Sequence, residues 1–350
     1  QCQIIRTNEP ALEELARRGK PWDVAEEGPE NPFLPLCDAE HPLDCLVPIL
    51  GRDDRLAGLI VLGMRRSEEP YSAEDKRLLA FVASQTGGAL ENIRLGEKIA
   101  ERIEAERRAA QEMEFARQVQ TKLFPQKFPR MRTLEYTGGC IPAKTVGGDY
   151  YDFLELRPGR LGIVLADIAG KGVPGALLMA NLQANLRSQY ATAVDDLPRL
   201  LASVNRLFFE NTDEASYATM FFADYNDATR LLRYSNCGHL PPLLVRADGT
   251  NVVRLQPTCT VLGMFEAWQS EVAEVMLGPG DTLVLYTDGI TEAENRAGEE
   301  FGDSRLIKTL GGMPNLSVEQ LKNGLVDAVR QFSDGEQHDD ITLVIARCLA

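Results

Sequence analysis

Gly162-Ile163-Val164-Leu165-Ala166-Asp167-Ile168-Ala169-Gly170-Lys171-Gly172 opens as a short apolar run and changes character at an acid set among small residues. The run Gly162 to Leu165 has the branched side chains of a buried strand, and the small residues after Asp167 suit a tight exit from it. The pattern recurs. Thr282 to Leu285 is a strand followed by Tyr286-Thr287-Asp288-Gly289; Gly147-Gly148-Asp149-Tyr150-Tyr151-Asp152 sets an acid after two glycines; His338-Asp339-Asp340-Ile341-Thr342-Leu343 sets two acids just before the last strand. Each alone has an ordinary reading. Asp-Gly is the commonest turn pair, Asp167 suits the cap of a following helix, and Asp149 suits a turn. Their conjunction does not. Strand ends meeting at one edge of a sandwich gather carboxylates, and the repulsion among them demands a cation.

Working outward, apolar runs at Leu161 to Ala166, Ala218 to Tyr225, Leu231 to Tyr234, Val272 to Leu277, Thr282 to Tyr286 and Ile341 to Ile345 alternate with turn residues. Helical stretches fall at 174–192, 197–210, 304–310 and 317–331. Hairpin-linked strands with a few helices predict an α+β fold of two stacked antiparallel sheets with helices outside.

The region before it has another texture. Cys45 to Leu50 and Leu56 to Leu62 read as two strands around the polar turn Gly51-Arg52-Asp53-Asp54, after a Pro-rich irregular stretch from Pro21 to Pro48. Ser72 caps a helix whose apolar face is Leu78, Leu79, Val82 and Ala83, continuing through Ile93. From Gly96 to Leu123 there is no proline, and Ile99, Ile103, Ala110 and Met113 fall at seam spacing. Polar Glu106, Arg117 and Gln120 interrupt that seam, so a weak coiled coil is expected, ended by Pro125. The expected organisation is a sensor-like domain over 1–94, a helical linker over 95–124 and a catalytic domain over 125–350.

Composition sets limits. The 350 residues are 44% hydrophobic and 25% charged, ordinary values for a folded chain. A formal charge of −15 argues against a nucleic-acid surface, which needs clustered Lys and Arg. The 7 cysteines are odd in number and never spaced as CxxC, so neither a zinc site nor a disulfide framework is indicated. No run approaches the ~20 apolar residues of a membrane span, and no signal peptide precedes the first strands, so a cytoplasmic protein is expected.

Oxygen ligands without His or Cys select hard cations, Mg²⁺ or Mn²⁺. Two such ions about 3.5–4 Å apart share and acidify a bridging water for in-line attack on phosphorus. Small residues beside each acid let backbone approach the ions, and the Ile168 carbonyl is a further candidate ligand.

GGDYYD (147–152), DIAGKGVPGALLMA (167–180), SNCGHLPPLL (235–244), LYTDGITEA (285–293) and DDITLVIA (339–346) stand in the order found in PPM (protein phosphatase 2C-like) serine/threonine phosphatases of the RsbU and SpoIIE type, which the chain resembles. The resemblance implies an αββα sandwich with two Mn²⁺ or Mg²⁺ ions between the sheets. It implies Asp149, Asp167, Asp288 and Asp339 as the metal acids, with Asp167 bridging; Asp340 competes with Asp339 for the last place. The phosphate-clamping arginine of eukaryotic relatives is not evident, and Lys144 is its nearest substitute. Lys171 stands where other members carry a histidine near the leaving group. His239, in a turn-rich segment, is read as a structural hydrogen-bonding residue. The implied substrate is a phosphorylated STAS-domain anti-anti-sigma protein, and the linker helix suggests a homodimer. Residues 44–95 resemble the C-terminal half of a GAF sensor domain.

Other classes fit less. GGDYY resembles the GG(D/E)EF signature of diguanylate cyclases, but that leaves Thr287-Asp288-Gly289 and Asp339-Asp340 without a role. A sensor histidine kinase needs a histidine on the helix 97–123, and the chain's three are His41, His239 and His338. A catalytically dead phosphoprotein-binding module is disfavoured by the presence of all four acids.

Overall fold

The computed structural model describes residues 10–24 and 43–350, apart from 53, 194, 214–215, 250 and 314–315. Most of the Pro-rich stretch, with Cys2, Cys37 and His41, lies outside them. The chain divides into two compact units, Gln1–Ala109 and Ala110–Ala350.

In the first unit, α1 (Pro10–Arg18) precedes a three-stranded antiparallel sheet of β1 (Trp22–Asp23), β2 (Leu43–Leu50) and β3 (Leu56–Gly63). Alternation along β2 sends Leu46 into a cluster with Leu12, Leu15 and Trp22, and Cys45, Val47 and Ile49 into another with Ala83. Next comes α2 (Ala73–Leu123). Its entry is a reciprocal cap: the Ser72 amide donates to Asp75 Oδ2 at 2.8 Å, and the Asp75 amide donates to Ser72 Oγ at 3.2 Å. The sequence suggested one helix to Ile93 and another from Gly96, but α2 is a single helix of 51 residues. No proline or capping residue interrupts it, and a glycine in a helix costs only about 1 kcal/mol relative to alanine.

The second unit continues from the last turns of α2 with β4 (Leu134–Ile141), β5 (Tyr150–Arg157), β6 (Arg160–Ile168), α3 (Val173–Ala193), α4 (Leu197–Glu210), β7 (Ala218–Asn226) and β8 (Leu231–Cys237). Then follow β9 (Leu243–Val245), β10 (Val252–Arg254), β11 (Ala273–Met276), β12 (Thr282–Tyr286), α5 (Asp288–Thr291), α6 (Gly302–Gly311), α7 (Val318–Phe332) and β13 (Ile341–Cys348). They form two five-stranded sheets, β10-β9-β12-β13-β4 and β11-β8-β7-β6-β5. Every pairing within them is antiparallel.

Strand parity makes the layers. Along β6, Leu161, Ile163 and Leu165 join Phe221, Leu283, Leu285 and Val344 in the cluster between the sheets. Val164, Ala166 and Ile168 face the other way, into Met179, Leu182, Leu201 and Phe208 of α3 and α4. On the second sheet, Val284, Tyr286, Leu343 and Ile345 pack outward on Leu306, Leu321 and Leu325 of α6 and α7. This is the expected αββα sandwich. Both faces of these strands are covered, so a slip of one residue would exchange two buried sets, and parity is held by how the side chains fit each layer.

Candidate active site

Parity also places the acids. On β6, Asp167 continues the series Leu161, Ile163, Leu165 and so stands on the face toward the opposite sheet, at the strand's end. Asp149 precedes β5 with the parity of Tyr151 and Phe153; Thr287 follows β12 with that of Leu283 and Leu285; Asp340 and Thr342 share the parity of Val344 and Ala346 on β13. The register of β6 on β7, with Ile168 opposite Ala218 and Arg160 opposite Asn226, sets these residues at one end of the seam. Asp288 begins α5 two residues past β12, and Asp339 lies two residues before β13.

Asp149 is 3% exposed, and its Oδ2 accepts hydrogen bonds from the Thr287 hydroxyl at 2.8 Å and from the Thr342 hydroxyl. Neither threonine was singled out from the sequence, although both carry the parity that would have found them. Asp340, 8% exposed, turns into the chain: Oδ1 accepts from the Ala143 amide at 2.8 Å, and Oδ2 from the Gly148 amide at 2.7 Å and the Asp149 amide at 3.4 Å. Its neighbour Asp339 is more open and pairs with Lys171 Nζ at 2.7 Å. That ammonium also donates to the His338 carbonyl at 3.2 Å. Lys144 is exposed, and its aliphatic stem passes beside Gly172 in the Asp167–Gly172 loop.

The two glycines before Asp149 are there for close approach. A Cβ on Gly147 would lie 2.0 Å from Asp340 Oδ2, and one on Gly148 would lie 2.8 Å from the Ile168 carbonyl and 3.0 Å from that of Gly170. Backbone therefore packs on backbone where the first two acidic motifs meet. The rest of the first motif faces away. Tyr150 OH donates to Asp152 Oδ2 at 2.6 Å, and Arg187 of α3 grips the same carboxylate with two bonds of 2.8 and 2.9 Å. Asp152 is thus a buried structural acid.

Electrostatics separates the group from ordinary surface acids. Burial, with the Asp167 charge, pushes the Asp149 carboxyl well above its usual range. Burial, with Asp288, Asp339 and Asp340, pushes Asp167 up to about 7 against the opposing pull of Lys171. Asp288 is raised by burial and by Asp339. Among the described residues no three His, Cys, Asp or Glu side chains converge closely enough to cage an ion as they stand. The donor chemistry nonetheless fits a hard divalent cation: buried and half-buried carboxylates repel one another beside the Lys171 ammonium, and every candidate ligand is oxygen. A cleft of about 310 Å³ opens beside them, lined by Lys171, His338, Asp339, Glu292 and Glu336.

His239 is buried, with Nε2 against the Tyr286 carbonyl at 3.2 Å and Nδ1 against the Thr219 hydroxyl at 2.8 Å. The carbonyl requires a donor, so Nε2 carries the proton, Nδ1 accepts, and the ring is neutral. Burial lowers it to about 4. It ties β7 to β12 behind the acids, the structural part expected of it. Cys45, Cys140, Cys237, Cys259 and Cys348 are free thiols.

A two-sheet αββα sandwich with carboxylates gathered at one end of the seam defines the protein phosphatase 2C class of fold. The SiaA-PP2C domain of Pseudomonas aeruginosa superposes with a TM-score of 0.62 at 23% identity, covering 69% of this chain and 98% of that one. The RsbU and RsbW domains of a Mycobacterium tuberculosis protein superpose with a TM-score of 0.56 at 26% identity, covering 63% of this chain and 62% of that one. Phosphoserine phosphatase RsbU of Bacillus subtilis is 31% identical over 238 residues, 67% of this chain and 70% of its own length. The SpoIIE family pattern (Stage II sporulation protein E) matches residues 157–349. This chain belongs to the SpoIIE family.

Proposed function

We propose that this chain is a metal-dependent protein serine/threonine phosphatase that removes phosphate from phosphoserine or phosphothreonine on a small regulatory protein. The observation that carries the reading is the set of carboxylates at one end of the seam, Asp149 buried and Asp167 and Asp288 half-buried, all raised by partial or full withdrawal from water and by mutual repulsion. Two Mn²⁺ or Mg²⁺ ions bound there would supply the compensating charge and an acidified water as nucleophile. Asp149, Asp167, Asp288 and Asp339 would hold them, with the Ile168 carbonyl adjacent. Asp340 is the weaker candidate, because both its oxygens already accept backbone amides. Thr287 and Thr342 fix one oxygen of Asp149 and leave the other for a ligand. Lys171 and Lys144 are the cations available to a phosphate at this edge. Phosphate release from p-nitrophenyl phosphate should require added Mn²⁺; release at the same rate in chelator would overturn the reading.

Substrate and control are further proposals. A phosphorylated STAS-domain protein fits the likeness to RsbU, and the cytoplasm is where such a partner would be met. No described helix is long and apolar enough to cross a membrane. The hairpin and capped helix of the first unit support a GAF-like sensor half. On α2, Ile99 and Ile103 are 58% and 59% exposed, one turn apart on one face, which supports a homodimer through this helix. Light scattering that gives a monomer at micromolar concentration would exclude it.

A further inference from the structure

Gln120 stands in the last turn of α2 and is only 5% exposed. A carboxamide withdrawn from water is costly unless both its halves are matched. Here both halves are matched by one residue. Gln120 Nε2 donates to the Gly147 carbonyl at 2.7 Å, and Oε1 accepts from the Gly147 amide at 3.2 Å. A side chain thus does what a neighbouring β-strand would do, two residues ahead of Asp149.

The same loop is gripped from its other side by Asp340 through the amides of Ala143, Gly148 and Asp149. Gly147 cannot carry a side chain into that grip, since its Cβ would fall on Asp340 Oδ2. Asp149 is therefore aimed by two opposed clamps, an acid within the sandwich and an amide from α2. The end of α2 is itself fastened to this unit: the Phe124 ring stacks on Tyr151 with centroids 5.3 Å apart, and Gln183 Nε2 donates to the Leu123 carbonyl at 3.4 Å.

We propose that Gln120 is a positioning residue for Asp149: it holds the Gly147–Asp149 backbone so that the free carboxylate oxygen meets a metal ion, and thereby sets the affinity of the site. The inference rests on reading these acids as a metal centre. Loss of a partner that orients a ligand, rather than binding the ion, typically costs about 10–100-fold in metal affinity or activity. A Gln120 that merely fills its own hydrogen bonds would change stability alone.

The test is a calorimetric Mn²⁺ titration of the metal-stripped full chain, wild type against Gln120→Leu and Gln120→Glu, with phosphate release followed as a function of Mn²⁺. Gln120→Leu loses both bonds, and its Mn²⁺ dissociation constant should rise by roughly ten-fold or more. At saturating Mn²⁺ its kcat should return to within about three-fold of wild type, a split that a lowered melting temperature does not produce. Gln120→Glu keeps the acceptor for the Gly147 amide but offers no donor to its carbonyl, so it should also weaken binding; it answers the question if the leucine variant fails to fold. A folded variant that binds Mn²⁺ within about two-fold of wild type would overturn the role of Gln120 while leaving the metal site standing. A wild-type chain that takes up no Mn²⁺ would overturn both.

Discussion

The two ends of the seam between the sheets both carry buried acids, and they treat them oppositely. At the far end, Asp227 is 4% exposed and accepts the amides of Arg132 and Thr133 at 3.0 and 2.8 Å and the Thr133 hydroxyl at 2.7 Å. Asp281, also 4% exposed, is met by Arg246 at 2.6 Å and by the amides of Gly278 and Ala247. Burial alone would raise Asp227, yet the Thr133 hydroxyl and the Arg132 and Thr133 amides bring it down to about 2. At the near end, burial and the charges of Asp288, Asp339 and Asp340 outweigh Lys171 at Asp167, and it rises to about 7. The far-end acids are satisfied from within the chain; the near-end acids proposed as metal ligands are left repelling one another.

The largest effect is expected where that contrast is removed at the near end. Asp167→Asn or Asp288→Asn should lower kcat/KM by on the order of 10³ or more at saturating Mn²⁺, because each takes a charged ligand from the proposed centre. The metal-free form should melt no lower than wild type at pH 8, since each change deletes a half-buried carboxylate that repels its neighbours. Phosphate-release kinetics and calorimetry of the stripped protein read the two halves separately. Wild-type turnover in either variant sinks the assignment.

How much of this was legible beforehand follows from the same geometry. The strands with long apolar runs, β6, β7, β12 and β13, stand where the sequence predicted, and so do the acids at their ends. Five strands, β1, β4, β5, β9 and β10, have no counterpart among the expected runs, and the two long ones are instructive. In β4, Gly138-Gly139 looks like a loop, yet the strand pairs with β13 from Leu134 to Ile141. A Cβ on Gly138 would lie 2.6 Å from the Tyr151 ring, so the glycine marks a close approach of the two sheets. In β5, Tyr150 to Leu154 is buried on both faces, and without alternation the segment reads only as a motif. Asp340 and Gln120 show the harder limit. An acid that grips amides near residue 147 and a glutamine that grips Gly147 depend on neighbours 191–197 and 27 residues away, which no local pattern records.

At the far end the expected damage is to stability. Asp227→Ala strands two backbone amides and a hydroxyl and should cost about 2–4 kcal/mol in urea unfolding, with kcat per folded molecule unchanged. The pH dependence has a definite sign. The folded pKa lies below the unfolded value of about 3.9, so this contribution is present above about pH 4 and lost as pH falls toward about 2. A variant as stable as wild type at neutral pH would erase the distinction between the two ends.

Between the ends, His239 sharpens the comparison, being buried next to the acids but satisfied within the chain. With its pKa lowered to about 4 by burial, it stays neutral across the working range. Its titration should be missing from the pH–rate profile between about pH 5.5 and 8, and His239→Gln should lower kcat by no more than about ten-fold while costing about 1–2 kcal/mol of stability. A profile whose limb near pH 6.5 disappears in the variant would move His239 into the chemistry.

The smallest effects separate the two lysines at the near end. Lys171 is half-exposed and committed to Asp339, and an exposed ion pair is worth at most about 1 kcal/mol. Lys171→Gln should therefore barely move the melting temperature. It should also free Asp339, so the variant would bind Mn²⁺ as well as wild type or up to about three-fold more tightly. Lys144 is exposed and makes no hydrogen bond or ion pair among the described residues, so its loss can act only on something that arrives. Lys144→Gln should raise KM for a phosphoprotein by about three- to ten-fold at low salt, with kcat and Mn²⁺ affinity unchanged, and the difference should shrink as salt screens the charge. If instead Lys171→Gln raises KM and Lys144→Gln changes nothing, the phosphate meets the lysine already paired with Asp339, and exchange of that ion pair becomes part of substrate binding.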